Sequence, residues 1–386
     1  MTSLFVCGRN DTFQLSTVVS DAEVYGLPII KTPKKLELQS MKLKCISSSC
    51  DHTVMIDCHG RAYGLGDDRN NQFGSSKQIV HKNPALVEFD NSFEKIIWAS
   101  SGHSYTLYLT EDGRVIYNGK DYQKKVLKYL RNIIYIAGSQ DCQCAIDENG
   151  DIYLFDKDIL NGRHQKMHFD NPIFDVARSN FLTIAVDVLG HCYGNSAFYD
   201  DKTKNDNKTN QKLLEIPSLK GINIIRVYSK GRVACALSSD GKAYMFGSNE
   251  FGELGVDLEQ NYISKFTPAK INEKVVSVGL GNNFTVFVTE NGSVYGCGKN
   301  TMASLMLGDC HSCEKILIPQ KSAYVKNDAT FVTCGNYHTI VMTKDNSIKH
   351  TGIEKLCDDN HEALSKKGNQ SKVSALFEFL GFSPED

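Results

Sequence analysis

Short apolar runs separated by polar turns recur along most of the chain. A typical copy has an apolar run, small residues, a turn, a second apolar run, a polar turn and a third run that ends in Gly. Runs such as 285–289 and 243–246 are rich in Val, Phe, Tyr and Thr, the composition of strands. Because these runs also lack helical periodicity, the pattern predicts short β-strands.

The turn before the third run gives each copy a fixed register. Pairs such as Asp240-Gly241 and Asn291-Gly292 occupy this turn, and such pairs favour two-residue hairpins. Seven copies align on the turn residues Gly60, Gly113, Gly150, Gly190, Gly241, Gly292 and Asn346. The residue eight positions earlier is His52, Tyr105, Cys142, Leu182, Val233, Phe284 or His338. We interpret these columns, including the two histidines, as framework positions of a repeat.

One small antiparallel sheet is marginally stable alone, so repeated sheets gain stability by packing on one another. The sequence therefore predicts an all-β fold, a seven-bladed β-propeller of four-stranded antiparallel blades, over residues 1–352. The segment 4–10 looks like the third strand of a copy that lacks its first two strands.

A different pattern follows residue 352. A polar linker leads into an amphipathic segment, so the sequence predicts a second region, 353–386, with a short C-terminal helix. Its apolar residues have i, i+3, i+4, i+7 spacing: Val373, Leu376, Phe377 and Leu380. This helix either folds back on the propeller or binds a partner, and the sequence leaves both alternatives open.

Charge and composition exclude several classes of protein. The chain has 386 residues with 43 Lys+Arg and 45 Asp+Glu, a net charge of −2, so we expect no direct nucleic-acid partner. No apolar run reaches the ~18 residues of a membrane span, and no signal-peptide pattern is present. We expect an intracellular protein, cytoplasmic or nuclear, that is monomeric. Its 13 scattered cysteines fit reduced thiols packed as small apolar groups.

Catalytic and metal-binding motifs are not found. The chain has no Gly-x-x-x-x-Gly-Lys-Ser/Thr loop and no His-Glu-x-x-His motif. Cys310 and Cys313 form a single Cys-x-x-Cys without a second pair nearby, and a zinc site needs more ligands. We therefore predict no metal, no cofactor and no catalytic residues.

Two repeat motifs carry a family resemblance. Residues 332–342 read Val-Thr-Cys-Gly-Asn-Tyr-His-Thr-Ile-Val-Met, and 99–109 follow the same pattern with Tyr105 in place of His. Residues 247–255 read Gly-Ser-Asn-Glu-Phe-Gly-Glu-Leu-Gly. Over residues 4–352 the chain resembles the regulator of chromosome condensation family, and the resemblance implies a propeller fold.

The two variable residues before the His column fall in loops, where binding residues concentrate. In a propeller these pairs would form a ring on one face. From them the sequence predicts the partner-binding residues Asp51, His103, Gln140, Asp141, Arg232, Asn282, Asn283, Asn336 and Tyr337. Founding members of the family catalyse nucleotide exchange on the Ran GTPase, and by repeat order the resemblance implies His103, Asp141 and Arg232 for that role. Only Asp141 keeps the residue type.

The leading prediction is thus a non-enzymatic protein-interaction module that binds a protein partner. The alternative is a guanine nucleotide exchange factor for a Ran-like small GTPase. Exchange displaces a bound nucleotide by competing contacts, so it requires no acid–base motif in the sequence.

Overall fold

The structure is a computed structural model. It describes the backbone of the first three strands and, from residue 42 onward, most of the repeat region. The described residues are 4–9, 22–24, 27–36, 42–49, 51–75, 79–89, 94–102, 104–120, 122–138, 142–155, 162, 164–195, 212–300, 303–307, 315–345 and 348–352. The predicted C-terminal linker and helix, 353–386, lie outside them and stay a prediction.

The described residues up to Ile136 belong to a first compact unit. An N-terminal antiparallel sheet has the order β1-β3-β2, with β1 (Leu4–Arg9), β2 (Ala22–Val24) and β3 (Leu27–Leu36). Blade 1 contains β4 (Leu43–Ser48), β5 (His52–Asp57), β6 (Ala62–Asp67) and β7 (Val80–Leu86). Blade 2 contains β8 (Ile96–Ser101), β9 (Tyr105–Thr110), β10 (Val115–Gly119) and β11 (Tyr122–Val126).

The second unit starts at Ala137, within the first strand of blade 3. Blade 3 contains β12 (Ile133–Gly138), β13 (Gln143–Asp147), β14 (Ile152–Phe155) and β15 (Gln165–Met167). Blade 4 contains β16 (Ile173–Arg178), β17 (Thr183–Asp187), β18 (Cys192–Gly194) and β19 (Leu214–Glu215). A 3₁₀ turn, Pro217–Leu219, follows it.

The last three blades complete this unit. Blade 5 contains β20 (Ile224–Lys230), β21 (Val233–Ser238), β22 (Ala243–Ser248) and β23 (Tyr262–Pro268). Blade 6 contains β24 (Val275–Leu280), β25 (Phe284–Thr289), β26 (Val294–Gly298) and β27 (Ile316–Lys321). Blade 7 has three described strands, β28 (Ala329–Cys334), β29 (His338–Thr343) and β30 (Ile348–Gly352).

The predicted seven-bladed β-propeller is confirmed. Blades 1–6 are four-stranded sheets in which each strand pairs with the next along the chain, and the strand pairs with a described register are antiparallel. Blades 1 and 2 of the first unit, and blades 4 to 7 of the second unit, pack through their first strands, so these strands are the innermost. Two hydrogen bonds between first strands join blades of the second unit. Val227 N donates to Asp175 Oδ2 (3.0 Å), and Val332 N donates to Ser277 Oγ (3.3 Å).

The column residues have structural roles, as predicted. Two tyrosines three positions after the turn glycine donate to the carboxylate that ends the second strand of their blade, from Tyr153 to Asp147 (3.2 Å) and from Tyr193 to Asp187 (3.1 Å). These bonds tie the third strand to the hairpin turn, so the column serves the blade itself.

The core lies between the blades. One cluster of buried residues spans blades 5 to 7 and includes Met245, Phe287 and Val341. The predicted packing of cysteines as small apolar residues is also found, since Cys144, Cys192, Cys235 and Cys297 are free and buried. Burial raises the pKa of Cys144 to about 12, which keeps this thiol protonated and unreactive at neutral pH. Within the described part of the chain, no helix is long and apolar enough to span a bilayer.

Candidate functional site

The loop that joins the first and second strands of a blade is called its pair turn, and the candidate site consists of the pair turns of blades 4–7 in the second unit. A backbone bond closes each of two such turns, from Gly281 N to Phe284 O (2.8 Å) and from Gly335 N to His338 O (2.9 Å). A Cβ on Gly335 would lie 2.1 Å from the His338 ring, so this position must lack a side chain. The closed turn leaves the two variable residues at its tip.

In blades 4 and 5 the pair turns contact each other. The Arg232 guanidinium lies 4.9 Å from the centre of the Phe181 ring, and Phe181 is 43% exposed. Ser179 Oγ donates to Gly231 O (2.8 Å), and Asn195 Nδ2 donates to Phe181 O (3.0 Å). Arg232 and Phe181 thus form an exposed cation–π pair on a backbone fixed by hydrogen bonds.

The pair turns of blades 6 and 7 are also joined. Asn282 N donates to Asn336 O (3.0 Å), and Asn282 Nδ2 donates to the Tyr337 hydroxyl (3.2 Å). Asn283 adopts a positive φ of 65°, a conformation that Asn tolerates, and its carbonyl accepts from Lys299 N (2.8 Å). The predicted residues of these two blades therefore form one continuous polar strip.

Lys230, the last residue of β20, links blade 5 to blade 7. Its Nζ donates to the carbonyls of Cys334 (3.1 Å) and Gly335 (3.0 Å). Desolvation lowers the pKa of Lys230 to about 8. Burial, followed by the charges of Lys230 and His350, lowers the pKa of His338 to about 4, and His338 Nδ1 has no hydrogen-bond partner among the described residues.

Asp51 contacts residues of its own turn in the first unit. Its Oδ1 accepts from Ser49 Oγ (2.9 Å) and lies 2.9 Å from His52 Nδ1. His103, Gln140 and Asp141 lie outside the described residues, so their predicted role stays a prediction. The structure thus brings Arg232 next to the pair turn of blade 4, and Asn282 and Asn283 next to that of blade 7.

Phe181 belongs to the variable pair of blade 4 but was not among the predicted binding residues. Lys230 was missed, although the sequence carried a signal for it. The residue three positions before the His column is small in six copies: Ser49, Gly102, Ser139, Ser179, Gly281 and Gly335. In blade 5 it is Lys230. A long cation in a column of Ser and Gly marks a place where blade 5 departs from the repeat.

No metal centre accompanies the pair turns in the described residues, since no three His, Cys, Asp or Glu side chains there are grouped to hold an ion. Cys310 and Cys313 lie outside the residues that the structure describes.

Comparisons with known proteins concern the repeat and the fold. The family model "Regulator of chromosome condensation (RCC1) repeat" matches residues 240–288 and 291–342, and a second model of this repeat matches 275–302. The regulator of chromosome condensation of Xenopus laevis is 25% identical over 352 residues, which cover 77% of this chain and 80% of that protein.

Two solved structures are similar in fold. Human WBSCR16 has a TM-score of 0.65 at 17% identity, over 89% of this chain and 100% of that one. Prp20p of Saccharomyces cerevisiae has a TM-score of 0.63 at 16% identity, over 91% of both chains, and its structure was described together with its binding properties to Gsp1p and histones.

Proposed function

We propose that the chain, a divergent member of the regulator of chromosome condensation family and a protein-interaction module built on its propeller, binds its partner through the pair turns of blades 4–7. The observation that carries this proposal is the exposed Arg232–Phe181 pair. Arginine and large aromatic side chains are enriched among the residues that dominate binding energy at protein interfaces.

The backbone under these turns supports the same proposal. Bonds from Ser179 to Gly231 and from Asn282 to Asn336 hold neighbouring turns together before any partner arrives. A surface that is already ordered loses less conformational entropy on binding. The same proposal includes four residues of the remaining pair turns: Asp51, His103, Gln140 and Asp141. It also includes a monomeric state and a location in the cytoplasm or nucleus.

Quantitative capture of partners on variant proteins tests the proposal. Arg232→Ala removes the guanidinium from an exposed position, so the fold should persist while recovery of a specific partner falls at least tenfold, about 1.4 kcal/mol of binding free energy. Lys265→Ala on β23, the outermost strand of the same blade, removes an equal charge and should leave recovery unchanged. Partners that bind both variants as well as they bind the unaltered protein would contradict the proposal.

The second candidate is nucleotide exchange on a Ran-like small GTPase. It is supported by the reported binding of Prp20p to Gsp1p and by the acidic residue at Asp141. An exchange factor binds its nucleotide-free GTPase most tightly, so added GTP or GDP should release the captured partner by reciprocal linkage. A partner that stays bound at saturating nucleotide identifies a module without exchange activity.

A further inference from the structure

The pair turns of blades 4–7 carry an unbalanced charge. Each of these turns consists of the Ser/Gly/Lys position and the two variable residues: 179–181, 230–232, 281–283 and 335–337. These twelve residues include two cations, Lys230 and Arg232, and no carboxylate. The turns of blades 1 and 3 instead carry Asp51 and Asp141. The surface proposed for binding is therefore cationic at its centre, although the whole chain has a net charge of −2.

The ammonium of Lys230 lacks an anionic partner among the described residues. Its bonds to Cys334 O and Gly335 O use two of its three N–H donors, and no described carboxylate pairs with it. Removing an ammonium from water without a counter-ion is unfavourable, and carbonyl dipoles offset only part of this cost. A carboxylate brought by a partner would supply the missing charge.

The guanidinium of Arg232 can bind the same kind of ligand. Its Cζ lies 4.9 Å from the centre of the Phe181 ring, and its N–H groups pair with no described carboxylate. Those N–H groups form a planar fork that matches a carboxylate with two parallel hydrogen bonds. The contact with the Phe181 ring restricts the side chain, which reduces the entropy lost when a carboxylate binds.

We propose that the pair turns of blades 4–7 bind an acidic segment of a partner protein, whose carboxylates pair with Arg232 and Lys230. The uncharged strip of Asn282, Asn336 and Tyr337 beside them offers hydrogen bonds to the backbone of that segment. This inference rests on the proposed function, because it assigns a chemistry to the same surface. A basic segment is disfavoured at this surface, because its positive charges would lie beside Arg232 and Lys230 without compensation.

Selection of peptides from a random dodecapeptide phage library on the full-length protein tests the inference. The unaltered protein should enrich sequences with several Asp or Glu residues. Arg232→Gln combined with Lys230→Met removes both charges at similar side-chain volume, and enrichment of those sequences should fall at least tenfold. Lys265→Met changes the charge on β23 alone and should retain it.

The other outcomes of this experiment would overturn the inference alone or both proposals. Neutral or basic sequences that are lost in the double variant would overturn the acidic partner and leave the pair turns as the binding surface. Acidic sequences that the double variant retains would overturn both proposals, because binding would then lie elsewhere. No enrichment on the unaltered protein, or tighter binding of a single-stranded oligonucleotide than of the selected peptides, would also overturn the inference.

Discussion

At the scale of single residues, the two cations of blade 5 differ in what surrounds them. Arg232 is exposed and contacts an aromatic ring, whereas Lys230 is half-buried and bonded to carbonyls. The first arrangement keeps a permanent charge available for a ligand, and the second leaves a charge that is costly in the free protein. Together with burial, the charge of nearby Lys230 lowers the pKa of His338, so this ring is neutral at neutral pH.

His338 makes stability depend on pH. Its pKa is about 4 in the folded chain against an ordinary value of 6.5, so the unfolded chain binds more protons between these values. Stability therefore rises as pH increases through this window and is fully present above 6.5. Burial is the main cause of the lowered pKa of His338, followed by the charges of Lys230 and His350. Desolvation lowers the pKa of Lys230 to about 8, so Lys230 adds a further rise in stability above pH 8.

We predict that His338→Phe removes the acid-sensitive part of this dependence. Blade 6 already has Phe284 at the equivalent position, beside the same close glycine, so the ring should fit. At pH 5 the histidine costs on the order of 2 kcal/mol relative to pH 8, and urea unfolding at the two pH values should show this difference shrinking in the variant. His59→Phe, in an exposed turn, is the control and should keep the difference. An unchanged pH dependence in His338→Phe would refute the assignment.

At the scale of the blade, the hairpin turns hold neighbouring blades in place. Gly292 has a φ of 80°, and a Cβ there would lie 2.5 Å from Asn327 O. Asn327 lies just before β28, the first strand of the next blade. Gly221 has almost the same φ, 79°, but a Cβ there would meet nothing within 4 Å. A comparison of substitutions at the two glycines therefore separates the cost of backbone strain from the cost of a steric clash.

We predict that Gly292→Ala destabilises the protein more than Gly221→Ala does. The positive φ alone should cost about 1 kcal/mol in both variants, and the clash with Asn327 should bring the cost at Gly292 to at least about 2 kcal/mol. Chemical denaturation of both variants measures the difference. Equal losses would show that the turn has room for a side chain and that close approach between blades does not require this glycine.

Repeat columns allowed the blades to be predicted from sequence because each blade uses local pairing of consecutive strands. The bulges in the first strands were not predicted. In blades 4, 5 and 6 the register shifts at the second residue, which leaves Phe174, Ile225 and Val276 46%, 45% and 46% exposed. An apolar residue in an apolar run gives no sign of such a shift, since the shift depends on the partner strand.

Contacts between residues far apart in the sequence limit how much of the candidate site could be predicted. The tips of the pair turns follow from the repeat register, so Arg232, Asn282 and Tyr337 could be named from sequence. The bond from Lys230 to Cys334 joins residues 104 positions apart, and the Arg232–Phe181 pair depends on two blades packing side by side. Such contacts arise from packing between blades, and the repeat pattern of one sequence does not show which side chains meet there.

At the scale of the whole molecule, the chain has a propeller fold similar to that of known proteins, and its loops carry its own set of side chains. The similarity to Prp20p and WBSCR16 is a similarity of fold at 16% and 17% identity. Function on a shared fold depends on the residues placed on it. Blade 5 is an example, because it has a lysine at the position where the other copies in this chain have a small residue.

Hydrogen–deuterium exchange of the protein with and without its captured partner shows which loops the partner covers. We expect slower exchange in the complex at the pair turns of blades 4–7, residues 179–181, 230–232, 281–283 and 335–337. We also expect unchanged exchange in the outermost strands β19, β23 and β27. Protection of an outermost strand, with the pair turns exchanging at the same rate in both states, would contradict the proposed binding surface.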